Sequence, residues 1–350
     1  MWFTSDYAGP AAPEIMEAMM QANTIYSQSY GDDRIMDRVR DKIRDIFEAP
    51  DAAVYLVATG TAANSLALAS MVQPWQTIYC HRHAHIQEDE CGAPEFYAGG
   101  AKLTLLDGAD AKIDLSSFKE AVAATGQGDV HSVQKGALSI TTATENGAVY
   151  SVAEIEALCA VAKANDVPVR LDGARFANAL VSLGCTPAEM TWKTGVEVVS
   201  FGGTKNGCIG VEAVIFFNPD RAWEFELRRK RGGHLVSKHR YLSAQMEAYL
   251  TDDLWLNLAT KANAAATKLS AGILQLPGAT LLHPTDANIV FAGWKRSGHQ
   301  AVQDAGAHYY FWPFGQTLEG DPDEIITARM VCNWATTDED INNFLDIIAK

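Results

Sequence analysis

The sequence predicts an α/β fold, with a mainly parallel sheet in a large domain carrying helices on both faces and a smaller α+β C-terminal domain. Three observations carry that expectation. Short apolar runs alternate with helical segments from Val54 to Phe217. The run GVEAVIFF follows the preceding strand, which ends at Ser200, so closely that it reads as an antiparallel neighbour. Beyond about Tyr249 the order changes to one long helix, several strands and a closing helix.

Each element has its own signal. Residues 1–10 read as extended, Pro13 opens a helix through Glu17 and Met20, and SYGDD (29–33) is a turn. From Arg34 to Phe47 the residues Ile35, Val39, Ile43 and Ile46/Phe47 recur near helical spacing. The strand-like runs are then Val54–Val57, Thr77–Cys80, Lys102–Leu105, Ala137–Thr141, Val167–Leu171, Val196–Ser200 and Val211–Phe217. A helix starts at Thr61, and another spans 151–165, opened by Ser151 with Glu154 three residues on, a capping box. An alanine-rich helix (254–274) precedes runs at Ala279–Leu282, Ile289–Ala292, Ala307–Phe311 and Thr327–Asn333, and the last helix starts at Asp338. The expected division is a large domain of residues 1–248, including the N-terminal segment, and a small one of 249–350.

Composition narrows the function. The chain has 350 residues, 48% hydrophobic and 20% charged, which suits an ordinary globular protein. A net charge of −15 argues against nucleic-acid binding, which needs basic surface to neutralise phosphates. The cluster Arg228, Arg229, Lys230, Arg231 reads as a helix end or a small-anion site. Six scattered cysteines with no CxxC predict reduced thiols, mostly buried. MWFTSDYAGPAAPEIM lacks a basic segment followed by an apolar run, and no run approaches a membrane span, so a cytoplasmic protein without a membrane partner is expected.

Lys205 and Asp172 are the most informative residues. Asp172 ends the apolar strand of VPVRLDGAR, and Lys205 follows the strand of VEVVSFGGTKNG. That pairing suits pyridoxal 5'-phosphate (PLP): the lysine amine can form a Schiff base with the cofactor aldehyde, and the carboxylate can keep the pyridine nitrogen protonated. Gly60-Thr61-Ala62-Ala63-Asn64 follows a strand and opens a helix, where free amides and the helix dipole suit a phosphate. Alone, each motif also reads as turn chemistry or a solvated lysine; their order makes the combination specific. His85, in CHRHAHIQEDECGAPEF, can lie against the ring and exchange protons. The rival there is a metal site, since His81, His83 and His85 alternate before Glu88, Asp89 and Glu90, but no second His/Cys cluster accompanies them and no metal is expected. Arg329, in ITARMVCNW, can bind a substrate carboxylate bidentately or simply pair at a strand edge.

With SDYAG, SYGDD, TGTAANSLAL, the AH of HAHIQEDECGAPEF, GDVH, LDGARFANA, LGCTPAEMTWKTGVEVVSFGGTKNG, RKRGGHLVSK and ARMVCNW, essentially the whole chain resembles the L-threonine aldolase branch of the fold-type-I PLP enzymes. ECGAPEF and AYLTDDLWL are similar to the phenylserine aldolases in particular. The resemblance implies the aspartate aminotransferase-like fold and retro-aldol cleavage of L-threonine, L-allo-threonine and aryl analogues to glycine and an aldehyde. It makes Lys205 the covalent cofactor lysine and Asp172 the partner of the pyridine nitrogen. Gly60, Thr61 and Ala62, with Thr204, would bind phosphate, and His85 would stack on the ring. Arg175 would contact the cofactor's phenolic oxygen or the substrate carboxylate, which Ser5 and Arg329 would hold. His131 would approach the β-hydroxyl, and Tyr30 would reach a neighbouring subunit's site. Many relatives carry GGGMR, whose arginine reaches the adjacent subunit's phosphate. Here the segment reads GGHLVSKHR, which leaves Lys238 as the candidate. The resemblance further implies a homo-oligomer, dimer or tetramer, with sites between subunits.

His308-Tyr309-Tyr310-Phe311-Trp312 can help line an aromatic side-chain pocket, or divide between core and surface. Other fold-type-I chemistries stay open: transamination, β-elimination and, less well matched for want of a folate segment, serine hydroxymethyl transfer. A non-catalytic PLP-binding protein is the alternative of a different class.

Overall fold

The computed structural model describes residues 1–24 and 26–350. Its large sheet has seven strands: β1 (Ala53–Val57), β2 (Gln76–His81), β3 (Lys102–Leu106), β4 (Gln134–Thr141), β5 (Val169–Gly173), β6 (Val198–Gly202) and β7 (Glu212–Phe216). Their order is β1-β7-β6-β5-β4-β2-β3, and β7 runs antiparallel to both β1 and β6 while the other neighbours are parallel. The antiparallel strand read from GVEAVIFF is therefore present. β5, β6 and β7 are buried along their whole lengths, as expected for strands covered on both faces.

A second sheet of four strands, order β10-β11-β9-β8, is antiparallel throughout: β8 (Thr280–Leu281), β9 (Ile289–Lys295), β10 (Tyr310–Phe311) and β11 (Ile325–Val331). Helix Leu254–Ile273 links the two cores. Trp255, Leu258 and Ala259 at its start pack with the large sheet, and Ala266, Leu269 and Ile273 pack with the small one. The first residues also belong with the small sheet, although the expected division groups them with 1–248. Phe3 is buried there and accepts a backbone bond from Val331 (2.8 Å), while Trp2 bridges His308.

Four helices precede or flank the functional end: α1 (Pro13–Ala22), α2 (Arg34–Ile46), α3 (Gly60–Met71) and α4 (His85–Glu88). Asp33 caps α2 by accepting from the Met36 amide at 2.9 Å, and buried Ser243 and His239 hold its other oxygen. The capping box at Ser151 and Glu154 forms as expected at helix Val152–Lys163.

The glycines of GGTKNG have a steric cause. A Cβ at Gly202 would overlap the Ala174 carbonyl, and one at Gly203 would lie 2.8 Å from the Val211 carbonyl oxygen. Behind them buried Asn206 donates to Tyr249 Oη (2.7 Å) and to the Trp255 carbonyl (2.8 Å), so the turn carrying Lys205 is fixed from below. Phe201 packs edge-on against Phe176 and Trp255 in the same core.

Candidate active site

The parallel strands all end on one edge of the large sheet, and the turns that follow them converge there. β1 leads to Thr59–Thr61, β4 to Glu145, β5 to Asp172 and Arg175, and β6 to Thr204 and Lys205. Together with Ser5, Tyr7, His85, Glu212, Tyr310, Trp312 and Arg329 they line a cavity of about 610 Å³. Ser5, Gly60, Thr61, His85, Asp172, Arg175, Thr204, Lys205 and Arg329 are thus brought together.

The phosphate turn is narrower than expected. Thr59 caps α3, its Oγ1 accepting from the Ala62 amide at 3.2 Å, so Ala62 has no amide to offer and is buried outside the cavity. Ala62, expected beside Gly60 and Thr61 at the phosphate, therefore stands apart from them. The Gly60 and Thr61 amides keep no partner among the described residues, and a Cβ at Gly60 would meet nothing within 4 Å. Open backbone at a helix N-terminus is what a phosphate group needs. Thr204 lines the cavity, but its Oγ1 already accepts from the Val211 amide at 3.1 Å.

Lys205 makes no hydrogen bond or ion pair among the described residues; its amine lies 5.7 Å from the centre of the Tyr7 ring. Burial and then Arg175 lower its pKa, against the pull of Asp6, Asp172 and Glu212, which favours the nucleophilic free amine. Asp172 behaves oppositely. Burial disfavours its charge, but Arg170, His85 and Lys205 hold it below the usual carboxylate range. The Ala174 amide (3.1 Å) and Asn64 Nδ2 (2.9 Å) donate to it, and Arg170 stands 3.4 Å away. An ionised acid fixed in this way is suited to holding a pyridinium proton.

Asn64, Glu90 and Arg170 escaped the sequence reading. The side chain of Glu90 is wholly buried and receives Asn64 Nδ2 at 2.6 Å and His85 Nδ1 at 2.8 Å on the same oxygen. Arg170, fully buried, donates to Asn64 Oδ1, to Ser139 Oγ (3.0 Å) and to Ser200 Oγ (2.9 Å). Its position two residues before Asp172, hence on the same face of β5, was a usable signal. The hydrogen bond from His85 to Glu90 raises the imidazole pKa above its ordinary value, against burial and Lys205. Glu145 and Glu212 were also missed; burial lifts both to about 7.

The two cavity arginines differ. Arg175 donates to Asp6 at 2.6 Å, and Asp6 also accepts from Asn288 at 2.7 Å. Arg329 has no hydrogen-bond or ion-pair partner among the described residues, and burial, with Arg175 adding to it, lowers its pKa to about 10. It stands opposite Tyr310 and Phe291 in the small sheet.

Three expected residues lie elsewhere. His131 is exposed in the turn before β4, at the opposite end of that strand from Thr141 and roughly 25 Å away at strand rise. It does not line the cavity of its own chain. Tyr30, 45% exposed, and exposed Lys238 stand near each other outside the cavity, the Tyr30 amide donating to Ser237 O at 3.2 Å. The alternating histidines do not converge, because β2 ends at His81. His81 Nε2 approaches the Gly108 carbonyl (3.2 Å), His83 pairs with Glu88 (2.8 Å) and His85 with Glu90.

An unpaired lysine, a buried ionised acid and an open helix N-terminus on one sheet edge fit PLP. Fold and site together define the class, a PLP-dependent enzyme of fold type I. The chain belongs to the Beta-eliminating lyase family, whose model matches residues 3–296. It is 40% identical over 334 residues to a low specificity L-threonine aldolase of a Pseudomonas species, covering 95% of this chain and 93% of the relative. The similarly described Pseudomonas aeruginosa protein is 39% identical over the same shares. Among solved structures, the Leishmania major threonine aldolase superposes with TM-score 0.88 at 26% identity, covering 99% of this chain and 98% of that one. A serine palmitoyltransferase from S. paucimobilis, at TM-score 0.71 and 14% identity over 100% of this chain and 86% of its own, shares the fold.

Proposed function

We propose that the chain cleaves L-threonine, L-allo-threonine and aryl analogues such as L-phenylserine to glycine and the corresponding aldehyde. The observation that carries this reading is the unpaired Arg329 in the same cavity as the free Lys205 amine and the imidazole of His85. PLP, when bound, supplies the electron sink for the cleaved Cα–Cβ pair. Lys205 holds the cofactor between turnovers, Asp172 keeps the ring nitrogen protonated, and Gly60 and Thr61 hold the phosphate. Arg329, with Ser5, binds the substrate carboxylate and so limits rotation about the substrate's N–Cα bond, an orientation effect worth several kcal/mol. His85 takes the proton of the β-hydroxyl, with that proton gone the aldehyde can leave, and a proton delivered to the substrate's Cα completes glycine.

The aromatic run supports the aryl branch. Tyr310 and Trp312, with Phe314, line the cavity, while Tyr309 and Phe311 turn to the small core, as strand alternation requires. Tyr30 and Lys238 lie beside each other and outside their own cavity, which supports a homo-oligomer, dimer or tetramer, in which each serves a neighbour's site; a cytoplasmic location belongs to the same proposal. The domain division at 248/249 stays part of the same proposal. The test is a coupled assay on PLP-loaded protein with L-threonine, L-allo-threonine and both L-phenylserine diastereomers. Equimolar glycine and aldehyde are expected. Ammonia and a 2-oxo acid without aldehyde would replace the reading with β-elimination.

A further inference from the structure

We infer that Glu90 and Asn64 are positioning residues for the proton transfer: Glu90 fixes the His85 proton on Nδ1, leaving Nε2 as the basic nitrogen, and Asn64 ties that carboxylate to Asp172. The inference rests on the retro-aldol reading above. Its geometry is a continuous chain of hydrogen bonds from His85 Nδ1 to Glu90 Oε1 (2.8 Å), from Asn64 Nδ2 to the same oxygen (2.6 Å) and from Asn64 Nδ2 to Asp172 Oδ2 (2.9 Å). Glu90 Oε1 already receives an amide N–H, so it accepts from the imidazole, and the ring hydrogen belongs on Nδ1.

Asn64 has only one workable orientation. Its NH₂ meets two carboxylates and its Oδ1 meets Arg170, so a flipped amide would set oxygen against Glu90 and Asp172 and hydrogen against a guanidinium. The whole unit is buried apart from His85, whose side chain is 35% exposed at the cavity. The expected base and the expected ring-nitrogen partner are therefore held by one amide, on α3, rather than by separate contacts.

The charges facing His85 come from four places: Glu90 from the turn after α4, Asp172 from β5, Lys205 from the turn after β6 and Glu145 from the turn after β4. Glu145 accepts the backbone N–H of His85 at 2.8 Å and fixes where α4 begins. Glu90 and Asp172 favour the imidazolium, whereas burial and Lys205 oppose it. Removing the Glu90 charge lowers the imidazole pKa, so neutral base persists to lower pH even as its tautomer is released.

The experiment is Glu90→Gln in the PLP-loaded enzyme, alone and with His85→Asn. Expected are a loss of kcat of about 10- to 100-fold and an acid limb of kcat/KM displaced to lower pH. In the His85→Asn background the same change should alter kcat by less than about twofold, because Glu90 acts through His85. Nitrogen-15 spectra of histidine-labelled protein, with and without cofactor, should show His85 protonated on Nδ1 in the wild type and mixed tautomers in the variant. Glu90→Asp, which keeps the charge, should restore part of the loss and stands in if the glutamine variant does not fold. Additive losses in the double variant, or an unchanged acid limb and tautomer, would overturn the inference. A fixed Nδ1–H in protein that releases no aldehyde would support the positioning of His85 and overturn the retro-aldol reading instead.

Discussion

Replacing Arg329 tests the site most directly, because among the described residues the guanidinium has no counter-ion, while Arg175 beside it has one. Its pKa falls from 12.5 to about 10. At 1.36 kcal/mol per unit, that displacement corresponds to on the order of 3 kcal/mol of unmet charge, an upper figure because the cavity opens to solvent. A substrate carboxylate supplies the missing partner through charge-assisted hydrogen bonds worth about 1.5–3 kcal/mol each. Taking about 2–3 kcal/mol for the pair, Arg329→Ala should lower kcat/KM roughly 30- to 160-fold. Arg329→Lys should fall between, since an ammonium keeps the charge without the planar fork. Every substrate carries the same carboxylate, so threonine, allo-threonine and phenylserine should lose by the same factor in the coupled aldehyde assay. Thermal stability should hold or rise, because the alanine variant no longer buries an unpaired cation. A kcat/KM within twofold of wild type, or losses differing tenfold between substrates, would refute the carboxylate role.

Lys205→Ala should abolish the absorbance of covalently held cofactor and lower turnover by at least about 10³-fold; full turnover with that absorbance retained would remove the lysine from its role. Trp312→Ala should cost phenylserine roughly 10- to 150-fold in kcat/KM, the worth of burying an aromatic ring, and threonine less than about threefold; equal losses would place Trp312 in the scaffold. For Glu212, buried at 6% exposure, burial raises the pKa from 4.5 to about 7. The folded state thus favours the neutral acid, so its contribution to stability is complete below pH 4.5 and is lost as pH rises through about 7. Glu212→Gln should therefore raise the melting temperature of the cofactor-free protein at pH 8 and leave it nearly unchanged at pH 4.5, and a pH-independent difference would contradict that sign.

Much of this architecture was legible because the signals are local. Strand–helix alternation and the capping box at Ser151 each act within a few residues, whereas the crowding that requires Gly202 comes from Ala174, beyond β5. What stayed hidden depends on distance along the chain. Glu90 stood out only as a metal-ligand candidate, and nothing in TGTAAN says that its asparagine faces an aspartate on β5. Nor does TGTAAN say that its first residue, Thr59, takes the Ala62 amide and leaves those of Gly60 and Thr61 open. His131 precedes β4, whereas Asp172 and Lys205 follow their strands. A residue before a strand and a residue after it lie at opposite edges of a sheet, and that order is already written in the sequence.

The N-terminal segment accounts for the difference between the two cavity arginines. Phe3 is anchored in the small core, and three residues on Asp6 is buried between the two sheets. Asp6 accepts from Arg175, which follows β5, and from Asn288, which precedes β9. Arg175 and Asn288 hold its charge below the usual carboxylate range despite burial. Breaking a buried pair by removing one partner typically costs about 3–5 kcal/mol, so a substrate carboxylate gains little by competing with Asp6 for Arg175. At Arg329 no such partner stands among the described residues, so a carboxylate ligand would meet no competitor there. Selectivity between the two cations is thus built by sequestering one of them, and the residue that sequesters it also ties the sheet bearing Lys205 to the sheet bearing Arg329.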